Sequence, residues 1–157
     1  MDNVDTRETR LVAEWSAALA APGERFLSWA LLGYAKPPGQ AGRNMMTDYL
    51  ATRGLDPARQ VALLETQAFA VLTDATLRLG LYGGMFRFKP KTLVATSGAA
   101  GFRLEWWDES RMVADERHML MLYDDGSWSR HSAMVTRRSN VEVFVEALGD
   151  RAVRIER

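Results

Sequence analysis

The sequence predicts an α+β chain: a mostly helical segment over residues 1–65, an antiparallel sheet curled into a half-open barrel, and one amphipathic helix that caps it. Three observations carry this reading. Before Gln67 the apolar residues recur at helical spacing between capping signals. After it, β-branched and aromatic runs alternate with turn signals roughly every ten residues. Near the end, Val141, Phe144, Val145 and Leu148 recur at i, i+3, i+4 and i+7. At 157 residues, 47% of them apolar, the chain has one-domain size and can bury roughly two-thirds of its unfolded surface. Residues 1–157 are therefore expected to form a single domain, with 1–65 packed on 66–157.

The elements follow in order. Asp5, three residues before Glu8, has capping-box spacing, and Leu11, Trp15, Ala18 and Leu19 share a helical face until Pro22-Gly23. The run from Glu24 to Lys36 fits either a buried strand or a second helix, the strand being preferred, and Pro37, Pro38 and Gly39 end it. Asn44 can cap a short helix through Met45, Tyr49 and Leu50 that stops at Gly54. Asp56-Pro57 then starts another, with Val61 and Leu64 on its apolar edge.

The strand runs are AFAVLTDATLRLGLY, MFRFKP with KTLVATS, FRLEWWD, HMLMLYD and SWSRHSAMV. Gly83-Gly84, Ser97 to Gly101, Asp108 to Arg117 and Asp124-Asp125-Gly126 separate them and read as hairpin connections. Ser139 or Asn140 caps the final helix over 139–149, Gly149 ends it, and the tail RAVRIER can add a last strand.

Several function classes are excluded or left without support. Twenty basic residues are cancelled by twenty acidic ones, and the balance holds on both sides of residue 66, so the concentrated positive charge of a nucleic-acid binder is missing. Zero cysteines means no thiolate metal site and no disulfides, which suits a reducing cytosol. The charged opening MDNVDTRETR has no apolar core, and the run Phe26 to Ala35 is half a membrane span, so a cytoplasmic protein is expected.

VLTDATLRLG (Val71 to Gly80) resembles the opening strand of bacterial PH-like and GRAM-like domains, and KPKTLVAT resembles their following basic strand. LYDDGSWSR with NVEVFVEALG resembles their final hairpin and capping helix. The resemblance covers residues 69–149 and implies a PH-like barrel that binds peptides, proteins or lipid headgroups without chemistry. Phosphoinositide-binding PH domains cluster cations across their first hairpin; this chain offers Arg87, Lys89 and Lys91.

Those three cations alternate with Phe86, Phe88 and Pro90, so an extended FRFKPKT puts them on one face. They are a candidate strip for phosphate or carboxylate groups; the competing role is protection of an edge strand, which Pro90 also suits. As a membrane contact, three cations near an anionic leaflet are worth about 3 kcal/mol, a weak attachment. Trp106 and Trp107, adjacent in a strand, point to opposite faces; one joins the core and the other is covered by the N-terminal helices, with Trp15 or Trp29 as neighbours, or contacts a partner.

His118 and His131 are the chain's two histidines. They lie on the arms of one hairpin, where a cross-strand approach is geometrically open, but no third ligand and no nucleophile–base set accompanies them. No catalytic residue, metal or cofactor is expected. Gly80, Gly83 and Gly84 lack the helix a phosphate loop needs, and Asp124-Asp125-Gly126 lacks the later ligands of a calcium loop.

The expected function is thus a non-enzymatic binding module for a protein or peptide, a second copy of the chain included, with Arg87, Lys89, Lys91, Trp106 and Trp107 as its ligand-binding candidates. The alternatives are a small-molecule carrier or enzyme with an aromatic cavity lined by Trp29, Tyr34, Trp106 or Trp107, and weak binding to an anionic membrane surface.

Overall fold

A computed structural model of the chain describes residues 2–33, 49–60, 68–83, 89–98 and 101–156. Helix α1 (Asp2–Ala18) leads into strand β1 (Phe26–Leu32). The preference for a strand in the ambiguous run holds, because its residues pair in register with β2 (Ala68–Thr73). Residues 49–53 are helical (α2) and end at Gly54. A 3-10 turn over Pro57–Arg59 follows, capped by Asp56, whose side chain accepts from the Ala58 N–H at 3.0 Å. The helix expected from Asp56-Pro57 stops there, because Gln60 is extended and bridges to Trp128; residues 61–67 lie outside the described residues.

The remaining strands are β3 (Thr76–Gly83), β4 (Lys89–Gly98), β5 (Arg103–Glu109), β6 (Glu116–Leu122), β7 (Trp128–Met134) and β8 (Ala152–Arg154), with α3 (Val141–Leu148) between the last two. They form two four-stranded sheets, β1-β2-β3-β4 and β7-β6-β5-β8. The α+β class with a C-terminal helix stands. Two expectations need correction. The β4–β5 connection is no hairpin, since β4 ends the first sheet and β5 lies inside the second. The second sheet is mixed, because α3 returns the chain so that β8 runs parallel to β5.

Strand alternation sorts the side chains into layers. Ala30, Leu32, Ala70, Leu72, Leu77 and Leu79 of the first sheet meet Leu104, Met119 and Met121 of the second. Val141, Phe144, Val145 and Leu148 of α3, the four residues read from the period, close this core. On the first sheet's other face, Trp29, Leu31, Phe69 and Val71 are covered by α1. The helix does so through Val12, Ala13 and Trp15, with Trp15 edge-on to Phe69 at 5.1 Å. Leu11 and Leu19 stay exposed, so the buried face is rotated from the expected one; small Ala13 and buried Ser16 let the helix lie close to the sheet.

The loop after α1 is pinned by Glu24. Its carboxylate takes Arg78 Nη1 at 2.8 Å and the hydroxyls of Thr73 and Thr76 at 3.0 and 3.1 Å, and with Arg78 as the main cause its pKa falls from 4.5 to about 2. At the opposite corner the two sheets meet at Gly33, whose N–H donates to Ser132 O at 2.7 Å. A Cβ there would lie 3.2 Å from that same oxygen, so a larger residue would have to push the two sheets a few tenths of an ångström apart. Among the described residues no helix is long and apolar enough to cross a membrane.

Candidate functional site

Among the described residues the two sheets have four edges, and these differ in what occupies them. β1 is sealed by Gly33 on Ser132 and by its Leu31 N–H, which donates to Ser139 O at 2.9 Å. β7 carries the Ser132 and Gln60 bridges, and β8 has three residues. β4 is a ten-residue strand at the end of its sheet, paired with β3 on one side. Pro90 therefore stands in an edge strand, the position its missing N–H suits, opposite Tyr82. Lys89 and Lys91 lie in the backbone of the same strand; Arg87 lies outside the described residues.

Trp106 and Trp107 do point to opposite faces, and the structure does not bring them together with the lysines, which belong to the other sheet. Trp106 faces inward and packs against the core, with the Arg117 guanidinium 3.9 Å and that of Arg154 5.3 Å from its ring centre. Arg117 is fixed by a bidentate pair with Asp108 at 2.8 and 3.0 Å. Trp107 faces outward, yet it is 5% exposed because Tyr49 of α2 meets it edge-on at 6.3 Å. The cover comes from the N-terminal segment, as expected, but through α2; Trp15 and Trp29 lie on the first sheet. Trp29, Trp106 and Trp107 thus occupy three separate layers, and Tyr34 lies outside the described residues.

The densest chemistry sits beside Trp107, on the outer face of the β5–β6 hairpin. Its register sets Trp107 opposite His118 and Glu109 opposite Glu116, all four on one face. The imidazole of His118 is 2% exposed, tilts against Trp107 at 5.4 Å, and donates from Nε2 to Glu109 Oε2 at 2.9 Å. Donor atoms of Glu109, Glu116 and His118 lie within 4.8 Å of one another. Arg111, from the hairpin loop, donates through Nε to Glu116 at 3.0 Å and through Nη2 to Glu109 at 3.4 Å. The loop's next residues, Met112 and Val113, are fully exposed.

Sequence reasoning missed this cluster because it paired strands only across the β6–β7 turn. The signal was there: folding ESRMVADE as a symmetric hairpin sets residue 109 against 116 and 107 against 118. The same arithmetic separates the histidines. In the β6–β7 ladder His131 faces Met119 and His118 faces Ser132, an offset of one residue that puts the two rings on opposite faces.

His131 points inward and forms a buried chain, with its Nε2 2.7 Å from Ser129 Oγ, which is 2.7 Å from Tyr123 OH. Burial lowers His131 to about 3 and raises Tyr123 to about 12, so both are neutral near pH 7. Ser129 is 1% exposed, and no carboxylate joins this chain among the described residues, so it holds strands together and presents no nucleophile to solvent. Further along the outer face, Glu105 is 5% exposed, with Oε1 2.8 Å from Arg53 Nη2 of α2 and Oε2 unpaired among the described residues; burial raises its pKa.

Neither a family model nor a curated protein matches the chain. Among solved structures, the hSac2 domain from human phosphoinositide phosphatase Sac2 is similar in fold, with a TM-score of 0.47 and 12% identity, over 95% of this chain and 87% of that one.

Proposed function

We propose that this chain is a non-catalytic binding module that captures an extended segment of a partner protein along β4, on a PH-like scaffold of two sheets and a capping helix. The observation that carries the reading is the edge itself. Among the described residues β4 is long and ends its sheet, while the other edges are bridged or only three residues long. An unpaired edge offers a row of N–H and C=O groups, and an added strand satisfies them while ordering only the incoming peptide. Lys89 and Lys91 give the edge a preference for acidic peptides. A second copy of the chain, and an anionic membrane surface, are the competing occupants.

The test is selection from a random peptide display library on the immobilised chain, followed by mapping of amide shifts and exchange protection with the enriched peptides. The expected result is enrichment of β-prone acidic sequences that protect amides of Lys91–Gly98, with the acidic preference lost in a K89E/K91E variant. Peptides that protect other surfaces and leave β4 unchanged would overturn the reading. So would association confined to anionic vesicles or to the chain itself.

A further inference from the structure

We infer that Glu109, Glu116 and His118 form a binding site for a divalent transition-metal ion, with Zn²⁺ as the best match to its donors. The set is one imidazole nitrogen and two carboxylates, the mixture that zinc accepts and that calcium or magnesium, which take oxygen ligands, do not favour. Its atoms already lie within 4.8 Å of one another. Bonds of about 2.0–2.2 Å in tetrahedral geometry put donors about 3.3–3.6 Å apart, so the remaining closure falls to the two long, half-buried Glu side chains. The fourth position is left to water.

The site is built from two sides. Glu109 and Glu116 face each other directly across the ladder, an arrangement of like charges that is unfavourable without a cation between them. His118 is 2% exposed, and its ring is held by Trp107, itself covered by Tyr49, so the nitrogen is aimed before any ion arrives. Binding requires the tautomer with its proton on Nδ1, so that Nε2, which donates to Glu109 without the ion, turns its lone pair to the metal.

Arg111 holds the place of the cation. It reaches Glu109 at 3.4 Å, near the limit of a hydrogen bond, from a side chain 39% exposed on a loop whose next two residues pack against nothing. A dication at the same carboxylates replaces a monocation there, and Arg111 is free to swing to solvent.

The experiment is Zn²⁺ titration by calorimetry of the full chain, untagged and pretreated with chelator, with Co²⁺ absorption as the second readout. The wild type is expected to take up one equivalent, with d–d bands for Co²⁺. E116Q, a conservative change near the surface, and H118N should each weaken binding by at least about tenfold. E109Q guards against misfolding of H118N, whose site is buried. R111A should bind several-fold tighter, a gain that a plain ion-pair cluster would not produce. No one-equivalent uptake by the wild type, uptake unaltered in E116Q and E109Q, or an R111A that binds no tighter would each overturn the inference.

Discussion

His131 shows how one buried group sets an acid sensitivity. Among the described residues no carboxylate pairs with its imidazole, and burial holds its pKa near 3 against 6.5 for the free side chain. Between those values the unfolded chain binds a proton that the folded chain refuses, so stability falls as pH drops from about 6.5 toward 3 and is unaffected above. One proton over that window amounts to on the order of 5 kcal/mol. Glu24 works in another range: its carboxylate is depressed to about 2, so its contribution is present above about 4.5 and fades as pH falls from there toward 2. The interval from pH 6.5 to 4.5 therefore separates His131 from Glu24. Urea denaturation of the wild type and of H131Q across that interval should show their stability difference shrinking by about 2–3 kcal/mol as pH falls. Subtracting the two proteins cancels Glu105, whose pKa burial raises. A difference that stays constant would mean His131 is protonated inside the fold.

At the scale of elements, α3 starts on an unusual residue. Asn140 is left-handed, with φ 56°, and its side chain does not cap the helix; Nδ2 donates instead to Trp29 O of β1 at 2.8 Å. Asn is among the few residues that take this conformation readily, and its amide ties the helix to the strand beneath. Asn140→Gly should then cost about 1 kcal/mol for the hydrogen bond alone. Asn140→Ala should cost about 2–3 kcal/mol, because it adds the left-handed penalty. The left-handed penalty adds to the modest disadvantage alanine already has at a helix N-cap, so a denaturation series in which Ala matches or exceeds Gly would sink this account. The helix itself was legible in the sequence, down to its four buried residues, because one side of it meets a core and period 3.6 records that. The strand runs were legible for the same reason with period 2. The β2–β3 turn was not: Asp74-Ala75 carries no Gly or Pro, and the reversal is held by Thr73 Oγ1, which accepts from the Ala75 and Thr76 N–H groups at 3.2 and 2.9 Å. Nor was the crossing from β4 to β5 legible, since composition marks a turn but not which sheet the next strand joins. The Glu109–Glu116–His118 cluster falls between, fixed by a hairpin register that follows only once the turn length is known.

At the scale of the molecule, two sheets enclose one core, and each outer face has its own cover, α1 on the first and residues 49–60 on the second. The second cover is held by a few identifiable contacts. Trp128 Nε1 donates to Asp56 O at 2.9 Å, Arg53 pairs with Glu105, and Tyr49 meets Trp107. Arg59 donates to Asp125 O and lies 3.1 Å from where a side chain on Gly126 would begin, a turn position whose φ of +86° already calls for glycine. Most of these contacts are polar and lie near the surface, whereas α1 rests on Trp29, Leu31, Phe69 and Val71. Local opening should therefore start at the second cover. Trp128→Phe keeps a ring on β7 but removes the indole N–H, so it should cost about 1–2 kcal/mol. More telling is where the loss appears. Hydrogen exchange should rise at amides of residues 50–60, and limited proteolysis should nick there first, while amides of β1–β3 keep their wild-type rank order. If protection instead fell by the same factor throughout both sheets, residues 49–60 would open only with the whole fold. Trp107, His118 and Glu105 would then be shielded by global stability, and solvent would reach that face of the second sheet only in the unfolded chain.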